Sequence, residues 1–379
     1  MDEEPSGIQE LIIQINKNYQ ELLGYSAEKT RLNKLNSKRW TSFCKEFNFD
    51  KNSSGIYLPR NQTAIIPAKN KLSLFHEYFG HGLYCEQSLP GRELVNLERS
   101  LMEEEKEYFK DKQFTSKEIN EFRKRNKTFQ LLKRLQEETI GLYEWFAIWT
   151  EYFLSKEFNL GNLFEEKYDS INQERKKSID EIISFSKNYG NLATFYNFEM
   201  ARKTTPDRVK KLLEGIYKDK LDNIKLAFLY GSKEEFSDID VFIISEDLPE
   251  TDCSWLDVRV EKEDYFEEMI KMFDVSITGL ATDSELIFGD KNYFDKKKRQ
   301  LREQSITKEA IRYNLEKSEE QKRLAFNYPE NSEKNIHGLT YSLTYLKNAI
   351  ALKQNIRLLP KRELLHSQSE SIKMKGGLE

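Results

Sequence analysis

Cysteine is scarce in this chain. Cys44, Cys85 and Cys253 are three among 379 residues, far apart and without a CxxC pair, so neither a disulfide framework nor a cysteine zinc site is suggested. They read as free thiols. Long apolar runs are missing too: no uninterrupted stretch approaches the ~20 residues that a membrane helix needs. The acidic start MDEEPSGIQELIIQ lacks the basic segment followed by an apolar one that marks an export signal. A cytoplasmic protein with no membrane partner is therefore expected. A net positive field is also absent, with 60 Lys and Arg against 64 Asp and Glu and a formal net charge of -4, so nothing global advertises a nucleic-acid partner. There is no internal repeat and no low-complexity linker. Histidine is rare, with four in the chain, and two of those fall within one six-residue stretch.

The length suits two or three domains, and 38% hydrophobic content suffices for ordinary cores. Apolar residues recur near every 3.6 positions in IQELIIQINKNYQELL, ERSLMEEEKEYF and KTFQLLKRLQEETIGLYEWFAIWTEYFL, which predicts a mainly helical region over residues 1–203. GIYLPRNQTAIIPAKN, with Pro59 and Pro67, reads as an edge strand or hairpin rather than a central strand. It runs into the helix KLSLFHEYFGHGLYCEQS. At TTPDRVKKLLEGI, Thr205 can cap a helix whose first turn holds Pro206 and Asp207. From there the pattern becomes strand (IKLAFLY), Gly-Ser turn, strand (DIDVFIIS), strand (LDVRV), helix (EDYFEEMIKMF) and a short strand around LIFG, a small α/β unit with a mixed sheet over 204–302. Residues 303–379 return to helices, with LTYSLTYLKNAIALKQ the most amphipathic and SQSESIKMKGGLE a frayed tail. The whole reads as a multidomain α+β chain.

The run YGSKEEFSDIDVFI carries one set of catalytic residue types. Strand residues two apart share a face, so Asp238 and Asp240 project together beside the Gly231-Ser232 turn. Paired carboxylates there can hold Mg²⁺ on a triphosphate. Gly231 lets the backbone approach a phosphate, and Ser232 can donate from its amide and hydroxyl. Asp257, opening LDVRV, is the candidate third acid that would activate an acceptor hydroxyl. Asp274 is a weaker candidate and reads better as a helix end. Gly-Ser, Asp-x-Asp, a strand opening with Asp, the Glu-Phe helix and ELIFGD together resemble the polymerase-beta-type nucleotidyltransferases, especially the minimal ones, over about residues 206–300. The resemblance implies a nucleoside triphosphate substrate, Mg²⁺ on Asp238, Asp240 and Asp257, Asp257 as base, and triphosphate binding at Gly231 and Ser232. The interval KEEF departs from that family, which usually has a longer gap containing another glycine.

HEYFGH, from His76 to His81, carries the other set. Two histidines four apart share a helix face; five apart they diverge by about 140° on an ideal helix. A one-residue bulge would restore convergence, and Gly80 makes such a distortion inexpensive. Glu77 then stands where the base that activates a zinc-bound water belongs. A third ligand is needed. In the stripe Leu131, Leu135, Glu138, Leu142, Trp145, Trp149 and Tyr152 a single carboxylate interrupts apolar residues, so Glu138 is the leading choice. Glu137, Glu144 and Glu151 form a row seven apart that reads mainly as a polar face, with Glu137 or Glu144 in reserve. HEYFGHG with EETIGLYEW resembles the dipeptidyl peptidase III family of zinc metallopeptidases over about residues 55–155. The resemblance implies a zincin-like domain with zinc on His76 and His81, Glu77 as catalytic base, Glu138 as third ligand or its acidic neighbour, and a peptide or protein substrate laid on YLPRNQTAIIP.

Lys296, Lys297, Lys298, Arg299 and Arg302 read as a solvated helix face rather than a path for nucleic acid. His337 and His366 lack ligand-type neighbours. The C-terminal helices resemble modules that accompany small nucleotidyltransferases, including those of toxin and antitoxin pairs, and would offer a protein partner a surface. The leading expectation is a bifunctional enzyme using Zn²⁺, Mg²⁺ and a nucleoside triphosphate. The alternatives are a chain with one active site, or a non-catalytic partner-binding protein.

Overall fold

Ile12, Ile15, Tyr19 and Leu23 recur at three- and four-residue steps, and all four are buried on the helix Ile8–Leu23. The computed structural model describes residues 7–49, 55–110, 114–169, 171, 173–249 and 251–357. The tail SQSESIKMKGGLE and His366 lie outside the described residues. The chain divides into two units, Met1–Lys203 and Thr204–Glu379. No described helix is long and apolar enough to cross a membrane.

In the first unit, β1 (Arg31–Leu35), β2 (Ile56–Leu58) and β3 (Thr63–Pro67) form a sheet in the order β1-β3-β2, with β1 parallel and β2 antiparallel to β3. The hairpin expected from GIYLPRNQTAIIPAKN is present and β2 is an edge strand, but β3 is central. Pro67 is tolerated there because it takes the last rung, and the next donor, Ala68 N–H, reaches the Leu35 carbonyl at 2.9 Å. The sequence RLNKL of β1, half polar and largely exposed, carries no strand signal. From β3 the chain enters the helix that holds the histidines. Asn70 caps its start by accepting from Ser73 N–H, and the segment Leu74–Gly82 is wound as a π-helix. It packs on the long helix Lys127–Glu157. Behind them, the rings of Tyr19, Phe79, Phe146, Trp149 and Phe195 meet largely edge to face, with Tyr19 and Phe79 at 5.7 Å and Trp149 and Phe195 at 4.7 Å.

The second unit opens as expected, with Thr205 accepting from Arg208 N–H and Pro206 leading the helix Pro206–Tyr217. β4 (Leu226–Tyr230), β5 (Ile239–Ile244), β6 (Asp252–Cys253), β7 (Leu256–Glu261) and β8 (Glu285–Gly289) make a mixed sheet in the order β6-β7-β5-β4-β8. Among the described residues of this unit, only β5 and β7 run parallel. Phe228 and Phe242 stack at 5.2 Å beneath the helix Glu263–Met272, whose Phe266 completes the core. The helices Lys308–Ala325 and Glu333–Lys353 form an antiparallel hairpin on this core within the same unit. Asp274 is the buried anchor. It accepts from Tyr313 Oη at 2.8 Å, Tyr345 Oη at 2.9 Å and Ser276 N–H at 2.8 Å, so it does more than end a helix.

In the basic run, Lys296, Arg299 and Arg302 are exposed, as expected of a solvated face, but Lys297 is buried and Lys298 half-buried. Lys297 is buried against Glu267 and over the Tyr293 ring, Lys298 donates to the Ser284 carbonyl, and Arg302 donates to the Ala281 carbonyl. At Lys297 and Lys298 the long stems are used for packing, and the charged ends of all three meet a carboxylate or a carbonyl.

Candidate metal centre and aspartate cluster

The π-helical winding supplies the distortion that the His76 to His81 spacing requires. It brings the two rings to 4.8 Å between centroids, nearly perpendicular to one another. Gly80 is demanded by packing as well as by winding, since a Cβ there would lie 2.6 Å from Ala147 Cα and 2.8 Å from Ala147 Cβ. The two helices meet at that point.

Close contact at Ala147 decides which side of the long helix faces the histidines. Glu144, one turn earlier, sets Oε1 3.6 Å from His81 Nε2 and Oε2 3.9 Å from His76 Nε2. Among the described residues, His76, His81 and Glu144 are the set whose ligand-type atoms all lie within 4.8 Å of one another. Glu138 does not join them. It is exposed and pairs with Arg134 at 2.7 Å, and Glu137 is turned toward Lys133. The stripe that singled out Glu138 mixes two sides of the helix: its members Leu131 and Trp145 are 47% and 38% exposed, whereas Trp149 is buried with Phe146, Ala147, Thr150 and Glu151, which lie outside the stripe. A carboxylate interrupting an apolar row needs a partner only if the row faces inward.

Glu151, one turn beyond Ala147, is the residue that sequence reasoning missed. It is 1% exposed, accepts from Lys167 Nζ at 2.7 and 2.8 Å, and lies 3.1 Å from His76 Nδ1. Burial would raise its pKa, but the bonds from His76 and Lys167 outweigh that and hold it low, as an anion. For His76, burial pulls downward and the Glu151 bond and the nearby Glu77 charge pull upward, leaving it raised. An anion fixed on Nδ1 leaves Nε2 to face Glu144. His81 is stacked on Tyr143 at 3.9 Å, and burial, then the His76 charge, keep its pKa well below the ordinary value. That favours the neutral ring, and its buried Nδ1 has no hydrogen-bond partner among the described residues.

These residues fit a divalent zinc ion. A neutral imidazole, an oriented imidazole and a carboxylate are a common zinc donor set, and bonds of ~2.0–2.1 Å in a tetrahedron place ligand atoms roughly 3.3 Å apart. Glu144 presents a different oxygen to each imidazole, at 3.6 and 3.9 Å, and one ligand atom from each of the three residues lies within 4.8 Å of the others, so the set would draw in modestly around an ion. Glu77 stands between the histidines in sequence, buried against Gly55, where a Cβ would come 2.6 Å from Glu77 Cγ. Burial, opposed in part by His76, raises its carboxyl to about 7. β2, which begins beside Gly55, is an edge strand of the sheet and brings Tyr57 to 6.4 Å from the His81 ring.

The aspartates gather differently. Asp240 and Asp257 are direct partners across the parallel pair β5 and β7, Asp238 lies two residues before Asp240, and Tyr230 lies opposite Asp240 on β4. Asp240, Asp257 and Tyr230 therefore share one face of the sheet, whereas Asp238 precedes β5 and is not fixed to that face by strand alternation. Gly231 has φ +79°, and a Cβ there would overlap the Asp240 carboxylate, so glycine is needed both for the turn and for the close approach. Burial, then the charges of Asp240 and Asp257, raise the Tyr230 hydroxyl. Ser232 is engaged with its own loop, accepting from Ser237 Oγ at 3.0 Å and from Glu234 N–H at 3.3 Å. Lys233 pairs with Glu285 of β8. Asp240 and Asp257 line one sheet face with Asp238 in the loop leading in, and among the described residues they are not part of a set as close as that at the histidines.

No family model matches the chain, and no curated protein matches it either. A solved structure described as a nucleotidyltransferase-like protein from Exiguobacterium sibiricum 255-15 is similar at 11% identity with a TM-score of 0.25, over 44% of this chain. The chain spans 65% of the length of that structure. At that level of similarity, the reading of both sites rests on their own residues.

Proposed function

We propose that the first unit is a zinc-dependent hydrolase of peptide bonds, and that the convergence of His76, His81 and Glu144 beside a buried Glu77 is the observation that carries this reading. Zinc in that set would polarise a carbonyl and acidify a water. Glu77 would take a proton from that water and deliver it to the departing amine. Glu151, charged and held by Lys167, would keep His76 in the orientation that presents Nε2. β2 offers an open sheet edge for an extended peptide substrate. The test is Glu77→Gln, assayed on a quenched-fluorescence peptide library with zinc content measured alongside. Loss of kcat/KM by roughly 10²–10⁴ with zinc retained is expected. Undiminished cleavage would remove Glu77 from the mechanism.

The second unit supports a second activity through a separate observation, the side-by-side placement of Asp240 and Asp257 on parallel strands with Asp238 leading in. We read it as a Mg²⁺-dependent nucleotidyltransferase that moves a nucleoside monophosphate from a triphosphate to a protein or small-molecule acceptor. Asp238 and Asp240 would hold Mg²⁺, Asp257 would bind metal and accept the acceptor's proton, and the Gly231-Ser232 turn would receive phosphate oxygens. Incubation with each of the four α-labelled nucleoside triphosphates and Mg²⁺ should label a product. The double variant Asp238→Ala/Asp240→Ala should reduce labelling to background. Labelling with none of the nucleotides would favour a chain with a single active site, or a partner-binding role for this unit.

A further inference from the structure

The helix Glu333–Lys353 is packed with the opposite polarity to an ordinary surface helix. Small and polar residues form much of its buried side, among them Asn335, Gly338, Ser342 and Asn348. They are satisfied there: Asn348 Nδ2 donates to the Phe273 carbonyl at 2.8 Å, Asn335 Nδ2 donates to the Ala325 carbonyl at 3.0 Å, and Ser318 Oγ donates to the Ser342 carbonyl at 2.8 Å. Large aliphatic side chains are left outside. Ile336, Leu339, Leu343, Leu346 and Ile350 are 54%, 38%, 45%, 40% and 41% exposed.

Their spacing of three, four, three and four is that of a coiled-coil seam, with isoleucine, leucine and isoleucine at the first position of successive heptads and leucine at the fourth. A surface helix needs no such stripe unless another helix lies along it. The positions flanking the seam are Asn335, Ser342 and Ala349 on one side and Thr340 and Lys347 on the other. One charge beside the seam gives an acidic or basic partner little to read, and it brings no row of like charges together when two copies meet. The stripe exposes on the order of 400 Å² of apolar surface, about half of the ~800 Å² that each partner gives to a standard interface, and the rest would have to come from the hairpin's other exposed apolar residues, among them Leu315, Leu324 and Phe326 at 42%, 46% and 66% exposure.

We infer that this seam is a homodimer interface, in which the hairpin Lys308–Ala325 with Glu333–Lys353 packs on its copy as a four-helix bundle. Sedimentation or light scattering of the full chain at tens of micromolar should then report two chains of 45.0 kDa. Leu343→Glu combined with Leu346→Glu should give a monomer with an unchanged circular dichroism spectrum, because both replaced side chains are exposed. Ile13→Glu, at another exposed aliphatic position on a different helix, should leave the dimer intact. A full chain that is monomeric at these concentrations overturns the inference. So does a dimer that survives the double glutamate variant. If the full chain is monomeric and a chain ending at Arg357 dimerises, residues 358–379 occupy the seam instead.

Discussion

Replacing Glu144 with glutamine should empty the histidine site of zinc, whereas replacing Glu138 with glutamine should leave about one zinc per chain. The two residues are six apart on one helix and chemically identical, so the contrast isolates position. Glu144 directs its oxygens to 3.6 and 3.9 Å from the two Nε2 atoms, and a carboxamide of the same shape removes the anionic ligand. Glu138 is spent on an exposed, solvent-screened pair with Arg134. Changing a group that merely supports a ligand typically costs 10–100-fold in metal affinity, so loss of a ligand itself should exceed about 100-fold. Metal analysis after dialysis against a weak chelator reads the difference. Zinc lost with Glu138→Gln and kept with Glu144→Gln would reverse the ligand assignment.

Gly80→Ala should destabilise the first unit and weaken zinc binding together. Alanine ordinarily improves a helix by about 1 kcal/mol over glycine, so intrinsic propensity predicts stabilisation. Packing opposes it, because the new methyl would sit 2.6 Å from Ala147 Cα, a backbone atom that cannot rotate away. Overpacking of this kind costs ~1–3 kcal/mol and more where backbone must move, so a net loss of about 2 kcal/mol is expected. It would also lift the histidine helix away from Glu144. Denaturant unfolding followed by the tryptophan signal, with a zinc titration on the same variant, checks both effects. Ala147→Gly added to Gly80→Ala should rescue partially, since it relieves the Cβ contact and leaves the Cα one. A variant as stable as the parent would mean that the helices do not meet at Gly80.

Much of each site could be read from local sequence. The five-residue spacing of His76 and His81, with glycine before the second, signals an extra residue in the turn, and the π-helix is present. Asp257 lies in register with Asp240, while Asp238, expected to share their face by alternation, comes before the strand begins at Ile239. The choice of third ligand was not readable in the same way. Glu137, Glu144 and Glu151 looked like a polar row because a carboxylate's periodicity is the same whether it faces water or a buried cation. Ala147 and Thr150, small residues set among aromatics between Glu144 and Glu151, were the signal of a close helix contact on that side. β1 went unread because RLNKL alternates little and is held by β3, more than 25 residues away in sequence.

Sequence by itself determined the period of the main helices and strands and, with it, the local direction of neighbouring side chains, because hydrogen bonds between near residues control where i and i+2, or i and i+5, point. Tertiary structure alone decided how each helix is rotated about its own axis. Gly80 on Ala147 turned Glu144 and Glu151 toward the imidazoles and Glu138 toward solvent. Asn348 and Tyr345, bonded to Phe273 and Asp274, turned the aliphatic seam of the last described helix outward. Rotation follows whichever face finds its partner across the chain, and residue order along one helix carries no record of that partner.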